Sequence, residues 1–204
     1  NSKILFTCPN AGIIKILGKN NLKLKKELKK IKYLGALCVI IKMRKNFSNI
    51  YWMNIADQGA PFGGIIEHTN LVDKKYYKND HILYLSKYFD VRDKFHKKKR
   101  EDIFKISKKF LKKVNPDFNE NVIKDYYIFS SNQAAVLNDL NFSKKIVKCK
   151  SEINNVFIAN MMHLYPDERS INNSIRVATN ACKKMGINTE NIPGGISNSG
   201  RVGF

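Results

Sequence analysis

The stretch YLGALCVIIKM, residues 33–43, is apolar at odd and even positions alike, with Lys42 its single charge. Successive side chains of a β-strand point to opposite faces, so a run without alternation asks for cover on both sides and neighbours on both edges. This stretch therefore belongs in the middle of a sheet, and the chain must supply its partners. Residues 50–56 and 63–69 are strand-like and separated by DQGAPF, where Gly59 and Pro61 bring the turn chemistry of a hairpin. HILYLSKYF (81–89) and VIKDYYIFSS (122–131) add two more strands, so an antiparallel or mixed sheet is expected.

Helical spacing appears elsewhere. Phe95, Ile103, Ile106, Phe110 and Val114 recur at helical period between about 92 and 114, and Pro116 follows the end. Leu24, Leu28 and Ile31 fall on one face of an earlier basic helix, which follows a short strand at 3–7 and a helical turn in AGIIKIL. NNVFIAN (154–160) supplies a last short strand, and a helix from about Ser170 to Met185 stops near Gly186. The tail from 188 to 204 is turn-rich and reads as loose. The order of elements gives an α+β fold without internal repeats, a sheet-and-helix domain flanked by terminal pieces of another layer. The chain opens on Asn1 and passes at once into a strand, as if entered in the middle of a fold.

Lys and Arg number 37 against 17 Asp and Glu, a formal charge of +20 that would attract phosphates, nucleic acid or an anionic membrane. Most of it is lysine on helices whose other faces are apolar, and no recognition motif with interleaved aromatics accompanies it. Solvated helix faces are the simpler reading, and no specific nucleic-acid partner is expected. Cys8, Cys38, Cys149 and Cys182 lie far apart without a C-x-x-C pair, which argues for free thiols and against a metal site. Apolar runs are too short to span a bilayer and the amino terminus does not resemble a secretory signal, so a soluble, cytoplasmic protein is expected, with peripheral membrane contact left open.

Two stretches could carry chemistry. In GGIIEHTN a regular strand would put Glu67 and Thr69 on one face and Ile66 and His68 on the other, so Glu67 and His68 cannot easily touch. Each could line a separate surface or make structural hydrogen bonds within the sheet. His81, His96 and His163 have no motif around them and read as structural. In YPDERSINNSIRVA, Asp167, Glu168, Ser170 and Asn172 crowd a helix start, where unpaired N–H groups and the positive dipole end suit an anionic group. Ordinary capping by Ser170 explains the same residues equally well.

Four segments in order, YWMNIADQGAPFGGIIEHTNLV, HILYLSKYF, VNPDF and VFIANMMHLYPDERSINNSIRVA, resemble successive motifs of the flavin-containing amine oxidase and protoporphyrinogen oxidase superfamily, in its NAD(P)/FAD-dependent oxidoreductase branch. The resemblance implies a mixed-sheet substrate domain at 33–146, flanked by terminal segments of an α/β FAD-binding domain. Residues 1–32 would be a returning segment of that domain with a connecting helix, and 147–187 a segment that contacts FAD. It implies Trp52, Asn54, Glu67 and His68 on the side of the sheet that faces substrate or flavin. It also implies Asp167, Arg169, Ser170, Asn172 and Asn173 as neighbours of the cofactor. The G-x-G-x-x-G turn that receives the FAD pyrophosphate in this superfamily is absent from the sequence, so a carboxyl-terminal half is implied, completed by a missing amino-terminal FAD-binding half. Ser170 also stands where the family often has glycine.

An oxidoreductase that passes a hydride from a small-molecule substrate to FAD is the function this resemblance implies. The flavin carries that chemistry, so no catalytic residue is assigned. A redox-neutral flavin enzyme of the sugar-nucleotide mutase type, with a nucleotide- or lipid-linked substrate, is the nearest alternative. A non-enzymatic basic module for RNA or membranes is the alternative from another class.

Overall fold

The structure, a computed structural model, describes residues 2–189; the expected loose tail lies outside the described residues from 190 onwards. The chain divides into two compact units, one of residues 33–134 and one formed by 1–32 together with the segment from 135 onwards. The division between these units falls within the last strand of the sheet, between residues 134 and 135.

In the 33–134 unit, β2 (Tyr33–Met43), β3 (Trp52–Asn54), β4 (Gly64–Glu67), β5 (His81–Phe89) and β6 (Ile123–Val136) form one sheet in the order β3-β4-β5-β2-β6. Hence β2 is interior, as its composition demands. The β3–β4, β4–β5 and β2–β5 pairs are antiparallel. Bonds from Arg44 N to Val122 O and from Leu137 N to Lys32 O give β6 the same sense against β2, so this sheet is antiparallel and not mixed. From Gly35 onwards the odd positions of β2 are buried and the even ones are half-buried. The odd face packs on α3 (Arg100–Val114), whose Ile103, Phe110 and Leu111 join Leu37, Val39, Ile41, Ile65 and Leu85 in one core. Helical cover on one face only explains the alternation in burial that the sequence of β2 does not show.

In the other unit, β1 (Ile4–Phe6) runs parallel to β7 (Val156–Ile158), with Leu5 opposite Phe157. The far edge of β7 is bridged by the preceding segment through Lys150 and Phe157. α1 (Asn10–Ile16) and α2 (Leu22–Lys29) follow β1, burying Ile13, Leu24 and Leu28, with Ile31 just beyond the helix. α4 (Ile171–Lys184) packs Val177, Ala181 and the adjoining Met185 on Leu5 and Phe157. It ends at Gly186, whose φ of +72° is the left-handed conformation that glycine adopts at least cost. No helix of the described residues is long and apolar enough to cross a membrane.

Candidate functional site

Each unit presents one candidate surface. In the unit of 1–32 and 135 onwards, β1 and β7 end together and the chain turns away from both, into Cys8–Pro9 and into Asn160. The Asn160 amide donates to Cys8 O at 2.9 Å and to Asn10 Oδ1 at 2.8 Å, and its Oδ1 accepts from Met162 N. His163 completes this buried lock: Nδ1 accepts from Asn160 N at 3.2 Å, so Nε2 carries the proton and donates to Val147 O at 2.9 Å. Burial holds its pKa below the ordinary histidine value, although the two backbone contacts oppose that shift. The imidazole is a neutral structural group, in keeping with its lack of motif support.

Beyond these strand ends lies a cavity of about 390 Å³, lined by Leu5, Thr7, Asn160, Leu164, Arg169 and Ser174 with Val177 and Ala178 behind. Parallel strands leave crevices at their carboxyl ends because their connections diverge there, and ligands of doubly wound sheets lie in such crevices. The start of α4 adjoins it. Ser170 caps the helix, its Oγ accepting from Asn173 N at 3.2 Å, and the Asn173 amide donates back to Glu168 O at 3.0 Å. Asp167 is paired with Arg176 one turn into the helix.

The five residues expected beside a cofactor thus separate by role. Arg169 lines the cavity, and Ser170 shapes its edge as the cap. Asp167 and Asn173 brace the loop against the helix, while Asn172 is exposed in the first turn. Thr7, Asn160 and Ser174 were not singled out from sequence. Ser174 could have been found, since it lies one helical turn beyond Ser170. Asn160 needed the pairing of β1 with β7, which brings together residues 152 positions apart in the Cys8 contact.

The second surface is the sheet face away from α3. On it Trp52, Ile66, Tyr84 and Ile40 form one row across four strands, and Asn54, Gly64, Ser86 and Cys38 form the next. Trp52 is 52% exposed, and its Nε1 donates to Asn54 Oδ1 at 2.9 Å. His68 packs edge-on against Tyr77 and Tyr84, and its Nε2 shares a 2.7 Å hydrogen bond with the Tyr77 hydroxyl. The Tyr84 hydroxyl has a raised pKa, chiefly through burial, with Tyr77 and Cys38 adding to it.

Trp52, Asn54 and His68 lie on this side; Glu67 does not. Its side chain has 0% exposure and sits on the core face with Ile65, two positions earlier, where Oε2 accepts from Phe47 N at 2.9 Å. The strand ends at Glu67, and His68–Asn70 is a 3-10 turn instead of the expected continuation. The separation of Glu67 from His68 holds nonetheless, and Thr69 Oγ1 stays within 3.5 Å of the carboxylate. Burial raises the Glu67 carboxyl to about 7, against the opposing pull of the Phe47 and Ser48 amides and of Thr69. Glu67 is therefore a clasp for the loop after β2 and not part of the open face.

No protein-family model and no curated protein matches the chain. Solved structures do. A protein from Exiguobacterium sp. 255-15 described as a protoporphyrinogen oxidase is similar over 90% of this chain and 40% of its own, with a TM-score of 0.66 at 12% identity. Reduced UDP-galactopyranose mutase is similar over 93% of this chain and 43% of its own, with a TM-score of 0.66 at 9% identity. An oxidoreductase from Methanosarcina mazei follows with a TM-score of 0.53 at 10% identity, over 78% and 37%. The chain thus shares its fold with these proteins and spans about two fifths of their length.

Proposed function

We propose that this chain is the substrate-facing and flavin-contacting part of an FAD-dependent oxidoreductase, completed by a dinucleotide-binding half outside this sequence. The observation that carries the reading is the cavity at the carboxyl ends of β1 and β7, bordered by the capped start of α4. A flavin needs apolar cover for its ring and donors for its polar edge. The cavity offers Leu5, Leu164, Val177 and Ala178 for the first, and Arg169 and Thr7 for the second. The helix dipole adds a partial positive charge at α4, which favours a group that gains negative charge on reduction. Bound there, FAD would supply the acceptor for a substrate hydride.

This chain's own contribution is binding and orientation. Asn160 and His163 keep the turn after β7 rigid, and Ser170 fixes the direction of α4. The parallel β1–β7 pair also supports the missing half. Parallel sheets are stable when several strands are covered on both faces, and a two-stranded pair alone is marginal. Fold similarity to a mutase and to oxidoreductases leaves both net reactions compatible with this architecture, and what the open sheet face binds distinguishes them.

The test is the visible spectrum of the polypeptide purified with its upstream coding sequence. Bound flavin is expected, and Arg169→Glu is expected to lower its retention. A colourless protein that binds RNA tightly and in a salt-sensitive manner would instead establish the basic-module reading.

A further inference from the structure

We propose that the α1–α2 hairpin docks on an anionic phospholipid surface, with Lys15, Lys19, Lys26 and Lys29 facing the headgroups and Ile16 and Leu22 entering between them. The inference goes beyond the flavin reading and does not depend on it.

The outward face follows from helical period. In α2, Leu24, Leu28 and the following Ile31 are buried, and the opposite stripe is Leu22, Lys26 and Lys29, at positions i, i+4 and i+7, all exposed. Leu22 is 72% exposed at the head of that stripe, and Ile16, 65% exposed, ends α1 on the other side of the turn. The turn itself is closed: Gly18 and Asn21 have φ of +57° and +56°, and Lys25 Nζ donates to Gly18 O. One exposed leucine would need no explanation. Two large aliphatic side chains flanking one lysine-rich turn form a patch with a chemistry of its own.

Charge completes it. Residues 11–32 hold eight lysines and a single acid, Glu27. Lys23 is bound to Glu152 at 2.7 Å, Lys30 to Glu27 at 2.7 Å and Lys25 to the turn, and Lys32 lies 3.9 Å from Asp139. Lys15, Lys19, Lys26 and Lys29 are exposed and form no ion pair among the described residues. The other basic helix differs. On α3, Lys108 and Lys113 are paired with Glu120 and Asp57, Lys112 donates to Phe118 O, and Glu101 and Asp102 occupy the first turn.

The partner follows from the residue types. A cluster of about four to eight basic side chains is what an anionic leaflet attracts, and each raises partitioning about fivefold. Lysine stems lie along the headgroup boundary while their ammonium groups stay hydrated, and exposed aliphatic side chains add insertion. Nucleic acid asks for other residues, since its bases stack on aromatic rings and on arginine. Residues 11–32 contain no aromatic residue, arginine or histidine.

The test is cosedimentation of the protein, expressed with its upstream coding sequence, with vesicles of phosphatidylcholine alone or with one third phosphatidylserine. Binding is expected only with phosphatidylserine, and it should fall as salt rises. Lys26→Gln combined with Lys29→Gln is expected to lower partitioning about twentyfold or more, and Ile16→Ser combined with Leu22→Ser about tenfold or more. All four positions are exposed, so circular dichroism should show native folding. Lys105→Gln with Lys109→Gln, on α3, should leave partitioning within about twofold. No binding to phosphatidylserine vesicles, equal binding to phosphatidylcholine, or undiminished binding in either folded hairpin variant would overturn the proposal. So would tight binding of polyuridylate that the lysine changes abolish and the aliphatic changes spare, because the hairpin would then be a nucleic-acid face. Flavin content is read on the same samples. Vesicle binding by a colourless protein would leave the docking surface standing without the flavin reading, and a flavin-loaded protein that stays in solution would do the reverse.

Discussion

The two units of this chain solve the same folding problem to different degrees. The 33–134 unit closes its own hydrogen bonding in an antiparallel sheet and covers one face with α3, so Leu37, Val39, Ile41, Ile65 and Leu85 are buried to 1% exposure or less. The other unit rests on a two-stranded parallel pair and leaves Ile4 52% and Ile171 80% exposed. A sheet of local antiparallel neighbours is complete once its strands have met. A parallel pair of two strands is marginal by itself, because its connections cross over and its faces need cover on both sides. The difference teaches where this chain is closely packed and where it leaves large apolar side chains exposed.

Core truncation should show the contrast most strongly. Leu85→Ala removes a side chain with no exposure from the middle of β5 and is expected to cost about 3 kcal/mol in denaturant unfolding. Ile171→Ala, on the exposed start of α4, should stay within about 0.5 kcal/mol. Comparable costs at the two sites would erase the distinction.

Glu67 sharpens the contrast through pH. Its folded pKa of about 7 lies above the unfolded value near 4.5, so between these values the folded protein holds a proton that the unfolded chain has released. Stability from this group is therefore present in full below about 4.5 and is lost as pH rises towards 7, by roughly 3 kcal/mol at most. Glu67→Gln keeps the acceptor for Phe47 N and removes the titration, so its stability profile should be flatter over that window. An unchanged slope would mean that Glu67 does not control it.

Ser170→Ala is expected to cost about 1 kcal/mol, less than Leu85→Ala, through loss of the cap on Asn173 N. Hydrogen exchange should rise in the first turn of α4 and leave β2 and β5 untouched. Protection lost across the sheet would show that the two units unfold as one.

Much of the fold was legible in the sequence because local periodicity reports burial. The apolar run at 33–43, the hairpin around Gly59 and Pro61, the helical spacing of Ile103 and Phe110, and the cap at Ser170 all appear where the pattern put them. The resemblance to flavin enzymes likewise names the fold that the solved structures share. The antiparallel sense of the whole sheet was not legible, since β6 reaches β2 across some eighty intervening residues whose pattern says nothing of direction.

By itself the sequence set the alternation along each strand and so pointed Glu67 and His68 to opposite sides, a separation that holds although His68 lies in the 3-10 turn after the strand. Only the tertiary structure decided which of the two went inside. Alternation fixes relative orientation, but α3 lay on one side of the sheet, and that choice sent Glu67 into the core beside Ile65 while His68 turned to Tyr77 and Tyr84. Register did the same for Trp52, Gly64, Ser86 and Cys38. These residues have no common local pattern and meet only because three antiparallel pairings bring their rows into line.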